Sequence, residues 1–173
     1  MKKLWVIPLL ALLLSGCGGD KALETISDVQ DTPVSAMAQK ILVQLPQELS
    51  APALQSEESG TLYLCDDYSV TVHTVEAGDL EKTIRSATGM NKEDLQIMQT
   101  KQGDATRYQW VWATNGENGI QVGRCCILDD GAYHYVLTAL ADEGKAAEVQ
   151  SSWKEIFGSF RLTEEREEIN TGS

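Results

Sequence analysis

The sequence is short of the residues from which most active sites are built. It has two histidines, His73 and His134, in 173 residues. Each sits in its own strand-like segment, without the carboxylate or histidine neighbours at short spacing that a metal site requires. We therefore expect no metal site and no cofactor. No serine stands in a nucleophile turn, and no glycine loop follows a strand and opens a helix. Residues 116–119 (GENG) read as a turn rather than a phosphate cradle. Asp66-Asp67 and Asp129-Asp130-Gly131 lack the alternating oxygen ligands and distal Glu of a calcium loop. Asp and Gly are what tight turns require. Positive charge is also scarce, with 14 Lys and Arg against 26 Asp and Glu, a net charge of −12. With no basic stripe to offset it, this balance excludes nucleic acid as a partner. The apolar run at residues 4–14 has eleven residues, whereas a spanning helix needs about 20.

What the N-terminus does contain is specific. Lys2 and Lys3 precede the apolar run LWVIPLLALLL, and Ser15-Gly16-Cys17 ends it. A charged start, a short apolar core and a small-residue end describe a secretory signal. Leu14-Ser15-Gly16-Cys17 resembles the lipobox of bacterial lipoproteins. The resemblance implies a diacylglycerol on the Cys17 sulfur and cleavage just before it. Two acyl chains hold a protein stably on a membrane, where one binds only marginally. The expected location is therefore the extracytoplasmic face of the cell membrane, with Cys17 as the lipidation site.

The expected organisation is a signal peptide at 1–16, the lipidated cysteine and a flexible tether at 17–38, a globular domain at 39–162 and an acidic disordered tail at 163–173. Residues 18–35 are rich in Gly, Asp, Ser and Thr, a tether composition. Residues 163–173 (TEEREEINTGS) offer almost nothing to bury. The stretch between them suits a single core. Losing the two positive charges of Lys2 and Lys3 takes the net charge from −12 to −14, which keeps the domain soluble and off an anionic membrane surface. Beyond Cys17, three cysteines remain: Cys65, Cys125 and Cys126. Neighbours in a strand point to opposite faces, so Cys125 and Cys126 are not expected to bond or share a metal. Small buried hydrophobes is the simpler reading. A bridge from Cys65 to either stays open.

Within the domain, residues 40–45 (KILVQL) read as a strand, with a helix over 36–45 as the competitor. A strand at 61–65 turns at Asp66-Asp67 into a second at 68–75. There Val70 and Val72 face one way, and Thr71 and a solvated His73 the other. A helix follows, capped by Asp79 and closed by Gly89, with Leu80, Ile84 and Ala87 on one face. Residues 95–100 read as a short strand. Residues 107–114 (RYQWVWAT) place Tyr108, Trp110 and Trp112 on one face. Strands at 120–128 and 133–141 meet at Asp129-Asp130-Gly131. A two-residue turn there would pair Leu128 with Tyr133 and Cys126 with Tyr135. It would put Cys125, Ile127, His134 and Val136 on the other face. His134 is expected as a hydrogen-bonded core residue. A last helix over 144–158, capped by Asp142, carries an apolar stripe of Val149, Trp153, Ile156, Phe157 and Phe160, and 160–162 form a closing strand.

This order predicts an α+β fold in a single domain: an antiparallel sheet covered by helices, an α/β/α-type sandwich. The plan, with the ending Trp153-Lys154-Glu155-Ile156-Phe157-Gly158-Ser159-Phe160, resembles the PsbP-like and DcrB-like α/β sandwich proteins. Members of that group are often secreted or lipid-anchored, and the resemblance implies no catalytic residue. The functional expectation is a non-enzymatic, membrane-anchored envelope lipoprotein that binds a partner protein or an envelope component. The alternative is a small-ligand module in which Tyr108, Trp110 and Trp112 stack on a sugar or peptide. Against that stands burial of the same face beneath the Trp153 helix.

Overall fold

The computed structural model describes residues 38–49, 51–56, 60–116 and 119–166. The signal segment, Cys17, the tether up to residue 37 and residues 167–173 lie outside the described residues. Among the described residues, nine strands and two α-helices follow one another: β1 (Gln39–Leu42), β2 (Leu54–Ser56), β3 (Gly60–Leu64), β4 (Tyr68–Glu76), α1 (Leu80–Thr88), β5 (Met98–Gln102), β6 (Ala105–Gly116), β7 (Gly119–Asp129), β8 (Tyr133–Asp142), α2 (Ala146–Ser159) and β9 (Arg161–Arg166). Seven strands make one antiparallel sheet in the order β2-β3-β4-β8-β7-β6-β5, and β1 pairs with β9 in a separate two-stranded sheet. Residues 40–42 thus follow the strand reading rather than the helical one, and residues 43–45 have no regular structure.

Side-chain alternation divides the sheet into two cores. Cys126, Leu128, Tyr135 and Leu137 pack on one side with Val149, Trp153, Ile156 and Phe157 of α2. Their sequence neighbours Cys125, Ile127 and Val136 pack on the other side with Ile84 of α1, Trp110 and Trp112. Adjacent strand residues point to opposite faces, so each helix covers its own face. The apolar stripe of α2 is buried along its whole length, Phe160 included. Each such large apolar side chain contributes about 1.5–3 kcal/mol.

Several local expectations need correction. The β7–β8 turn is longer than two residues, so Asp129 pairs with His134, Leu128 with Tyr135 and Cys126 with Leu137. The slip is two residues, an even number, so every side chain keeps its predicted face. The Asp130 carboxylate builds the wider turn by accepting from the Ala132 and Tyr133 N–H groups at 2.9 and 2.7 Å. Asp142 does not cap the last helix. A 3₁₀ turn, Glu143–Lys145, intervenes, and the Asp142 side chain instead accepts from Gln121. β9 carries the chain through Arg166, past the expected tail boundary at 163, because β1 supplies its backbone partners, with Gln39 opposite Arg166. At α1 the signals read correctly. Asp79 Oδ1 accepts from Glu81 N at 3.0 Å, and Gly89 ends the helix at φ 74°, a conformation that glycine adopts without strain.

Candidate functional site

Tyr108, Trp110 and Trp112 do share one face of β6. That face lies beneath α1, not beneath the Trp153 helix, because Trp110 pairs with Cys125 and not with Cys126. Trp110 and Trp112 are 3% and 8% exposed, and Tyr108 borders the same cluster half-buried. Two tryptophans so enclosed form core, and their ring faces are not open to a sugar. Trp112 lies directly over Gly123 of β7, where a Cβ would meet the indole. Sequence reading did not single out Gly123, although a glycine inside a strand pattern signals a close approach.

The three described cysteines are free thiols. Burial pushes the Cys125 thiol well up, with a weaker opposing pull from the Thr138 hydroxyl. Burial pushes Cys126 up to about 12, although Arg107 and Arg124 pull the other way. Neither is a thiolate nucleophile at neutral pH. Cys65 is half-buried and donates to the Tyr68 carbonyl at 3.4 Å.

Buried Arg107 and half-buried Arg124, which the sequence did not advertise, organise the α2 side. Arg107 is 9% exposed. It donates to the Phe157 and Phe160 carbonyls at 2.6 and 3.1 Å, and to the side-chain oxygens of Gln102 and Gln109. A cation at the C-terminal end of a helix is favoured by the free carbonyls there. Arg124 stacks on the Phe157 ring at 4.7 Å. Burial, then the nearby Arg107, lowers its pKa. Burial alone would raise the Asp130 carboxyl. Hydrogen bonds from the Tyr133 and Ala132 N–H groups, the Tyr135 hydroxyl and Gln39 outweigh it and hold Asp130 below its ordinary value. Gln39 N also donates to the Tyr135 hydroxyl at 2.8 Å, which ties β1 to the main sheet.

The histidines fall on the α1 side. His134 is 2% exposed, its Nδ1 is 2.8 Å from Thr83 Oγ1 and its Nε2 is 3.9 Å from Asp129 Oδ2. A hydroxyl, an imidazole and a carboxylate stand in a row, yet with the imidazole enclosed the row pins α1 to the sheet. His73 is half-buried, because α1 stands over its face of β4 across a cleft. Its Nδ1 is buried without a hydrogen-bond partner, and burial lowers its pKa, so it is neutral at pH 7. His73, Val75 and Glu76 of β4 line this cleft of about 320 Å³, with Lys82, Thr83 and Ser86 along the helix and Gly78 and the cap Asp79 between the two elements.

A second cleft, about 310 Å³, lies where β1 and β9 meet the β5–β6 turn. Several of its polar side chains are already engaged: Gln39 with Asp130 and Gln102 with the Phe160 carbonyl. In the β4–α1 cleft Asp79 and Thr83 are engaged, but Glu76, Lys82 and Ser86 make no side-chain hydrogen bond or ion pair among the described residues, and this cleft is therefore the candidate site. Among the described residues, no three His, Cys, Asp or Glu side chains are grouped to hold a metal ion.

No protein family matches the sequence, and no curated protein sequence does. Among solved structures, the chain is similar to LpqN, a Mycobacterium tuberculosis protein involved in cell envelope biogenesis. The two are 11% identical with a TM-score of 0.52, over 78% of this chain and 87% of LpqN. Cyanobacterial PsbP (CyanoP) from Synechocystis aligns at 10% identity and a TM-score of 0.47, over 71% of this chain and 82% of its own. At these identities the likeness to LpqN is one of fold: an α+β, mostly antiparallel single domain.

Proposed function

We propose that the chain is a lipid-anchored envelope lipoprotein on the extracytoplasmic face of the membrane, and that its domain binds a partner protein or an envelope component without catalysing a reaction. The observation that carries this reading is Leu14-Ser15-Gly16-Cys17 at the end of a charged-then-apolar segment. Acylated Cys17 supplies the attachment that the described helices do not, since none is long and apolar enough to cross a membrane. The fold shared with LpqN supports an envelope role, as LpqN takes part in envelope biogenesis. Kinship with the PsbP-like and DcrB-like proteins belongs to the same proposal. The raised thiol pKa values of Cys125 and Cys126 support a role without thiol chemistry.

The test is topological. Expressed in a bacterium and converted to spheroplasts, the full chain should sediment with membranes and be digested by added protease. Recovery in the cytosol, or protection from protease until lysis, contradicts the reading. The small-ligand alternative keeps one supporting observation, the cleft between β4 and α1. Its ligand would sit there, and not on Tyr108, Trp110 and Trp112.

A further inference from the structure

We infer that the cleft between β4 and α1 binds a small zwitterionic amino-carboxylate, an amino acid or a dipeptide. The inference deepens the small-ligand reading above and rests on it. At about 320 Å³, the cleft is at the lower end of ligand sites, which span about 300–1,000 Å³, so its occupant is small.

The charges choose the chemistry. Glu76 and Lys82 both line the cleft, and neither forms an ion pair or a side-chain hydrogen bond among the described residues. By contrast, Arg85 meets Glu81 at 2.8 Å one turn along the same helix, and Lys145 meets Asp67 and Glu148 at 3.0 Å. Opposite charges left apart across a cleft match a ligand that carries both signs. Lys82 and Ser86 are four residues apart and share one face of α1, where ammonium and hydroxyl can both donate to a carboxylate. Glu76, at the end of β4, can accept from an ammonium. Asp79 adds negative charge beside it, although its Oδ1 already caps Glu81 N. Thr83 is committed to His134. Val75 gives apolar contact, and neutral His73 adds a polar edge without a competing charge.

The probe is the dipeptide L-Ala-L-Ala, titrated into the full chain in mild detergent and followed by calorimetry and ¹H–¹⁵N NMR. Its N-acetyl and C-amide forms each remove one charge. We expect saturable binding with resonance shifts centred on His73, Glu76, Lys82 and Ser86. Glu76→Gln, Lys82→Met and each blocked peptide should weaken binding at least about tenfold, a change equivalent to about 1.4 kcal/mol. No saturable binding overturns the inference, as does binding that survives both variants. Amide binding as tight as that of the free dipeptide overturns it too, and marks a simple cation site. Fatty-acid labelling of Cys17 reads the anchor independently, so failure here leaves that reading separately decided.

Discussion

Gly123→Ala adds one methyl group, and the structure sets its cost. The new Cβ would stand within 2.6 Å of Cζ2, Cη2 and Cε2 of Trp112, closer than carbon atoms pack at about 3.5–4.0 Å. Trp112 is 8% exposed and packed with Trp110, Cys125 and Ile84, so the rigid indole has little room to retreat. Overpacking of this kind costs about 1–3 kcal/mol. Alanine returns about 0.5–1 kcal/mol, because glycine loses more backbone freedom on folding. The mid-range figures leave a net loss of about 1 kcal/mol, read from urea denaturation followed by far-UV circular dichroism. Trp112→Phe removes the atoms in collision. The two substitutions together should therefore cost less than the sum of the singles, by at least about 0.5 kcal/mol. Gly123→Ala as stable as wild type, or strictly additive effects, would refute the packing argument.

Three further outcomes follow from the same reasoning. Trp153→Ala should destabilise the domain by about 3–5 kcal/mol, the cost of removing a buried large aromatic, and a melting curve near wild type would show that α2 does not depend on this contact. In maleimide labelling with a mass readout, half-buried Cys65 should react first, and Cys125 and Cys126 only after denaturation; rapid native labelling at either would contradict the raised pKa values. Asp130 is depressed in the fold, so its stabilisation is complete above the unfolded value of about 3.9 and fades as pH falls through the folded value. Asp130→Asn should therefore flatten the loss of stability between about pH 5 and pH 2, measured as urea midpoint against pH, and an unchanged slope would count against the hydrogen-bond network.

Features that depend on near neighbours were legible in the sequence. Alternation placed Val70 and Val72 on one face and Tyr108, Trp110 and Trp112 together. Asp79 and Gly89 bounded α1 because capping and left-handed closure are local chemistry. Which helix covers which face was not legible. It turns on whether Trp110 meets Cys125 or Cys126 across the sheet, and a one-residue difference exchanges the two cores. The pairing of β1 with β9 was hidden for a related reason, since Ile41 and Leu162 lie at opposite ends of the domain. Strand period alone put His73 on a polar face, and only the packing of α1 against that face makes it the lining of a cleft. Nothing local to Arg107 signals its burial, because the carbonyls it meets come from the end of α2, some 50 residues along the chain.

The account depends most on the lipid at Cys17. Cells grown with a labelled fatty acid should yield a labelled wild-type chain, and intact mass should place a diacylglyceryl group on a polypeptide that begins at Cys17. Cys17→Ser has no sulfur to form the thioether, so it should carry no label and leave the membrane fraction. Equal labelling of both proteins, or a wild-type chain that retains residues 1–16 and carries no lipid, would contradict the account.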